Sequence, residues 1–168
     1  DPETMAPYFM NIASDEAVAT LYINFGADVL KKEMGWESVV ILAEDTAFGG
    51  AITGLVTEAL GPVAGIEVKE IITYDINTND FAPLFSKAEA SGADFIYQVS
   101  SVNSQVISSQ YVKLQVPMGM TGVNVSALGM EYWEDTGGQG GGISTLSPVP
   151  SVGYALDPTS EAFVKAYQ

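Results

Sequence analysis

The sequence contains no cysteine and no histidine, and all six of its basic residues are lysine. Without cysteine there are no disulfides, no thiolate metal sites and no thiol nucleophile, and the redox compartment stays undetermined. Lacking histidine, the chain cannot assemble a Ser-His-Asp or Cys-His arrangement, and any zinc site would rest on carboxylates alone. The lack of arginine leaves six lysines against 21 acidic residues, a formal charge of −15 that repels phosphate backbones, so nucleic acid is not an expected partner. The acids are spread along the chain, which fits a high-salt habitat or an exported acidic protein better than an acidic active site. Apolar runs fall short of the roughly 20 residues a bilayer requires, and no basic-then-apolar leader opens the sequence. A removed signal or a lipid anchor attached elsewhere would leave no trace here.

What is present is ample core material: 168 residues, 47% hydrophobic, suit a single domain spanning residues 1–168. Val18, Leu21, Tyr22, Phe25 and Val29 share one face of a first helix, with Ser14 as N-cap, Lys31 and Lys32 at its negative end and Gly35 closing it. Residues 38 to 43 form an uninterrupted apolar run, the signature of a strand buried on both faces. A helix capped by Thr46 follows, with Ile52, Leu55, Val56 and Leu60 at core spacing and Gly61-Pro62 stopping it. The more polar strand from Glu67 to Tyr74 belongs nearer an edge. Next come a helix capped by Asn79 or Asp80 with Phe81, Leu84, Phe85 and Ala88 inward, and a strand from Asp94 to Ser100. A helix with Val106, Ile107, Tyr111 and Leu114 inward leads to a short strand from Met118 to Thr121. A short helix near 126 to 135, a glycine-rich turn at 137 to 142, a strand at 142 to 147 and a helix from about 159 complete the pattern. Such alternation predicts an α/β fold: a three-layer, Rossmann-like parallel sheet with helices on both faces.

In such sheets ligands sit beyond the carboxyl ends of the strands. That edge gathers Asp45, Thr46 and Phe48 after the first strand, Ser100, Ser101 and Asn103 after the third, and Thr121, Gly122 and Asn124 after the fourth. An aromatic wall with hydroxyl and amide groups suits a small polar organic molecule, with Phe48 equally suited to the core and Ser100 and Ser101 to helix capping. No phosphate-binding glycine loop opens a helix. Glu44 and Asp45 could ligate Mg²⁺ as a carboxylate enzyme or phosphoacceptor, or cap the following helix. The pattern calls for no cofactor, no metal and no enzymatic activity. Asn124-Val-Ser126 matches a short glycosylation acceptor pattern.

Several ordered segments carry a resemblance: Ser14-Asp15, Val39 through Gly49, Asn79 through Phe85, Gly92 through Tyr97, Leu114 through Met118, and Phe163 through Tyr167. Together they resemble the second lobe of type I periplasmic binding proteins, in the branched-chain amino acid (Leu/Ile/Val) substrate-binding branch of ABC transport systems. The resemblance implies two lobes closing on a ligand, so that residues 1–168 form one lobe of a longer, extracytoplasmic protein whose partners are its first lobe, a membrane permease and a small solute. It implies that Phe48 stands where the family commonly has a ligand-facing Tyr, and that Thr121 to Asn124 match a loop that often supplies an acid for the ligand ammonium. Here that loop has none and Phe48 lacks the phenolic hydroxyl, departures that leave amides, aromatic acids or other small organics open beside a branched-chain amino acid. A sensory ectodomain of the same fold is the alternative in which closure signals instead of transporting.

Overall fold

The computed structural model describes residues 13–102, 104–129, 131–138, 142–146 and 158–167. Helix α1 (Asp15–Phe25) begins at Ser14, whose hydroxyl accepts the Ala17 N–H at 3.3 Å, and continues into a π-type turn over Gly26–Lys31. Strand β1 (Ser38–Glu44) is buried along its whole length, as its unalternating sequence requires. Helix α2 (Ala47–Ala59) does not stop at Gly61-Pro62: a π-type turn over Leu60–Ala64 carries it onward until Gly65, at φ 66°, ends it. Pro62 has no N–H to contribute, and the wider turn accommodates that loss. Strand β2 (Glu67–Tyr74) alternates in exposure and lies at the sheet edge.

Helix α3 (Ala82–Ala90) starts one step later than its sequence suggests, with Phe81 at the cap position. Asp80 accepts the Ala82 N–H, and Gln110 reaches across to accept that of Phe81. Strand β3 (Phe95–Ser100), helix α4 (Ser104–Leu114) and strand β4 (Gly119–Asn124) follow. Leu114, expected inside, is exposed. A 3₁₀ turn (Ser126–Leu128) and the single-turn α5 (Tyr132–Asp135) replace the one helix expected near 126 to 135, and α6 spans Pro158–Tyr167. The expected strand at 142 to 147 is reduced, within the described residues, to a bridge of Ile143 to Met120, with Ser144 and Leu146 N–H groups donating to Met120 and Gly122 carbonyls.

All pairings are parallel, in the order β2-β1-β3-β4. One face of the sheet buries Val39, Ile41, Phe95, Tyr97 and Val99 beneath α1, α2 and the π-type turn after α2, whose Tyr22, Ile52, Val56 and Leu60 fill the layer. The other buries Val40, Leu42, Ile72, Ile96 and Met120 beneath Phe85 of α3 and Ile107 and Tyr111 of α4. These are the two helical layers and the central parallel sheet that the sequence pattern calls for. Ala47–Ala64 has the length and mean hydropathy (1.2 over 18 residues) of a marginal membrane span, yet Ile52, Val56 and Leu60 are buried against the sheet as in a core helix.

Candidate functional site

Because every strand runs the same way, the carboxyl ends of β1 to β4 share one rim. From β1 the chain passes outward to β2 through α2 on one face, then returns past β1 to β3 through α3 on the other. The strand order therefore reverses between β1 and β3, the place where open α/β sheets leave a crevice.

Glu44 ends β1 at that reversal and is 1% exposed. Its Oε1 accepts the Ser101 hydroxyl at 2.6 Å and the Thr46 hydroxyl at 3.0 Å, while Oε2 accepts the N–H groups of Ser101 at 2.8 Å and Val102 at 3.2 Å. Among the described residues four donors thus converge on the two carboxyl oxygens of one side chain. The side chain joins the β1 and β3 turns from beneath. Thr46 also caps α2, accepting the Gly49 N–H at 3.0 Å. Gly49 has to be glycine for packing reasons, since a Cβ there would lie 2.0 Å from the Glu44 carbonyl oxygen. A recess of about 330 Å³ lies alongside, lined by Ala43, Glu44, Asp45, Thr46, Gly49, Gly50, Thr53, Gly54 and Thr73. Burial pushes the neighbouring Tyr74 hydroxyl up to about 12, the Ser100 hydroxyl opposes that shift and the Glu44 carboxylate adds to it.

The far side of the rim is held by α1. The Tyr22 hydroxyl donates to the Gln98 carbonyl and accepts the Val123 N–H at 2.7 Å, so it sits between β3 and β4 where a parallel ladder could pair those groups directly. Gly122, at φ 146°, lies in the seam this hydroxyl occupies: a Cβ would fall 1.8 Å from the Gln98 oxygen and 2.7 Å from the Tyr22 hydroxyl. Burial drives the Tyr22 hydroxyl pKa far upward, so it remains a neutral phenol.

The structure sorts the sequence candidates into two depths. Asp45 and Ser101 are exposed, Thr46 and Phe48 half-buried, and the Phe48 ring packs against the core beneath α1 and α2. Ser100 is buried and donates to the Val102 carbonyl at 2.7 Å. Thr121, Gly122 and Asn124, expected in a loop, are buried inside β4, which runs three residues further than its sequence suggests. Asn124 spends its amide within the fold: Nδ2 donates to Ser108 at 2.8 Å, and Oδ1 accepts from the Ser126 hydroxyl at 2.8 Å and the Ala127 N–H at 3.1 Å. Asn103 lies outside the described residues. Sequence reasoning read Glu44 as a metal ligand or cap and Tyr22 as plain core; apart from Thr46, the partners of Glu44 lie 57 and 58 positions away and those of Tyr22 76 and 101, beyond any local signal.

Charge is sorted by edge as well. Lys31, Lys32, Lys87 and Lys113 end helices and Lys69 lies near the start of β2, which places all five at the amino-terminal edge of the sheet. The remaining lysine, Lys165 in α6, pairs with Glu161 at 2.9 Å. The rim turns instead carry Asp45, Asp75 and Asp80, with Glu131, Glu134 and Asp135 following β4. Ile76, Val102, Val125 and Leu128 add exposed apolar surface there.

A family model described as "Periplasmic binding protein" matches residues 1–168. A comparison with curated proteins found no match. Among solved structures, the chain is similar to a periplasmic binding protein type 1 from Bordetella pertussis Tohama I, with TM-score 0.73, 20% identity, 92% of this chain and 40% of that one covered. It is similar to a leucine binding protein from Thermotoga maritima MSB8, with TM-score 0.72, 19% identity and 91% and 42% covered. An ABC transporter solute binding protein from R. palustris, in complex with benzoate, matches with TM-score 0.66, 19% identity and 90% and 40% covered. At these identities the likenesses show the fold, and this chain spans about two-fifths of each relative's length.

Proposed function

The chain belongs to the periplasmic binding protein family, and on that premise we propose that it is the second lobe of an extracytoplasmic solute-binding protein. Without chemistry of its own, that protein hands a small organic solute to the membrane permease of an ABC transporter. The observation that carries this reading is the reversal of strand order between β1 and β3, where the two turns are tied together by Glu44. On this reading Asp45, Thr46, Phe48 and Ser101 form one wall of an interlobe cleft, and Ser100, Thr121, Gly122 and Asn124 fix the wall from beneath; Asn103 stays a ligand contact proposed from the sequence alone. The solute is a branched-chain amino acid or a related amide or acid; relatives that bind leucine and benzoate support that range. The first lobe supplies the opposite wall, and residence is periplasmic or extracellular.

The test is a thermal-shift screen of the two-lobed protein against branched-chain amino acids, their amides and aromatic acids. A solute at a hundredfold excess over its Kd stabilises the native state by about 2.7 kcal/mol. Phe48→Ala should then weaken the hit about tenfold or more. Silence across the panel sinks the solute-binding reading, and an unchanged affinity in Phe48→Ala removes Phe48 from the wall.

A further inference from the structure

We infer that the fold holds a buried water site between β3 and α4, in which two ordered waters flank the Gln98 side chain and link it to the Tyr74 and Tyr132 hydroxyls. The inference does not depend on the solute-binding reading.

Gln98 stands in β3 in register with Leu42 on one side and Gly122 on the other, and is 1% exposed. Neither its Oε1 nor its Nε2 has a hydrogen-bond partner among the described residues. A buried polar atom left unpaired costs more than a made hydrogen bond contributes, so two on one side chain call for a ligand. By strand alternation Gln98 shares the face of Ile96 and Ser100, which α3 and α4 cover. Two more unpartnered buried atoms belong to that layer, the hydroxyls of Tyr74 and Tyr132. Tyr74 comes from β2 and lies beside Ser100, while Tyr132 comes from α5 and lies beside Ser108. Small residues surround them. Ser104 and Ser108, one turn apart, are both buried on the inward side of α4, and Gly122 adds no side chain from β4. The unpartnered hydroxyls of Thr53 and Thr121 lie toward the α1–α2 side of the sheet and are no part of this group.

Water is the ligand that these groups fit. The amide offers one acceptor and two N–H donors and each phenol offers both functions, so the occupant has to donate and accept at once. A cation leaves Nε2 unpaired, and an anion has no proton for Oε1. Buried waters typically make about three hydrogen bonds each, and globular chains hold roughly one per 27 residues. Two waters, one between Gln98 and Tyr74 and one between Gln98 and Tyr132, meet that demand within the ordinary complement.

A high-resolution crystal structure of the two-lobed protein, read together with urea unfolding, tests the site. Solvent density should stand about 2.7–3.2 Å from both Oε1 and Nε2, with a peak in the same reach of each phenol. Gln98→Met keeps the length of the side chain but removes the partner that both waters share, and should lower the urea midpoint by about 0.3 M or more. Tyr132→Phe removes one end of the link and should lower it too. The double substitution should cost less than the two losses summed, because both act on one water. A dry amide gives the opposite sign, since methionine then replaces an unpaired polar group and raises the midpoint. If Gln98→Met does not fold, the density and Tyr132→Phe decide. The inference is overturned by amide atoms without solvent density in reach, by a cation or protein group in its place, by a raised midpoint in Gln98→Met, by an unchanged one in Tyr132→Phe, or by losses that simply add.

Discussion

The two edges of the sheet are built from the ends of the same four strands and are fastened in opposite ways. At the amino-terminal edge the fastening is exposed and charged. Asp94 accepts the N–H groups of Glu37 and Ser38, each at 3.0 Å, and the Ser38 hydroxyl at 2.7 Å, while Lys31–Glu37, Lys69–Glu67 and Lys87–Glu70 pair in solvent. At the carboxyl rim it is buried and cation-free: the Glu44 carboxylate, the Tyr22 hydroxyl and the Asn124 amide, with glycine wherever backbones approach. Water replaces an exposed ion pair readily, whereas a buried donor or acceptor that loses its partner keeps the full desolvation cost. The lysine-bearing edge should therefore tolerate change, and the rim should not.

Gly122→Ala is the severest way to test that contrast. A Cβ placed 1.8 Å from the Gln98 carbonyl, at a φ that side chains rarely adopt, must pry β3 from β4. The expected loss is above about 3 kcal/mol in urea unfolding, and a loss below 1 kcal/mol would contradict the seam described here. Tyr22→Phe keeps the ring and its edge-on contact with Tyr97 but leaves the Gln98 carbonyl and Val123 N–H facing a gap. Its expected cost is about 2–3 kcal/mol, with faster exchange of the Val123 amide; unchanged exchange would mean that the strands close without the hydroxyl.

Asp94→Asn probes the other edge and should cost only about 0.5–1 kcal/mol at neutral pH, because the group is largely exposed. The Ser38 hydroxyl first, and then the Glu37 N–H, hold the Asp94 carboxyl below its usual range. A carboxyl depressed in the folded state contributes stability that is complete above its ordinary pKa, near 4, and is lost as pH falls through the lowered value. The parent chain should thus lose stability more steeply on acidification than Asp94→Asn, and equal acid limbs would show that this carboxyl is not linked to folding.

Much of this arrangement is legible in the sequence wherever its cause is local. Ser14 and Thr46 announce their helices because cap and capped N–H lie three residues apart. The even burial of β1 follows from Val39-Val-Ile-Leu-Ala43, and the alternation in β2 from its interleaved Glu and Lys. The rim misleads because its causes are distant. Gly122 and Asn124 are residue types that favour turns, yet a tyrosine 100 residues away in sequence lies against Gly122 in β4. Glu44 next to Asp45 resembles a pair of metal ligands until the β3 turn is brought over it.

The Tyr22 hydroxyl also sets an order of assembly. It joins α1 to a seam whose two strands are 76 and 101 positions further along the chain, so β3 and β4 cannot reach their final spacing until the first helix has docked. Closing so long a loop is slow relative to local helix formation, which makes this seam a late event in folding. The first helix of the described chain is thereby the one that certifies its last strand.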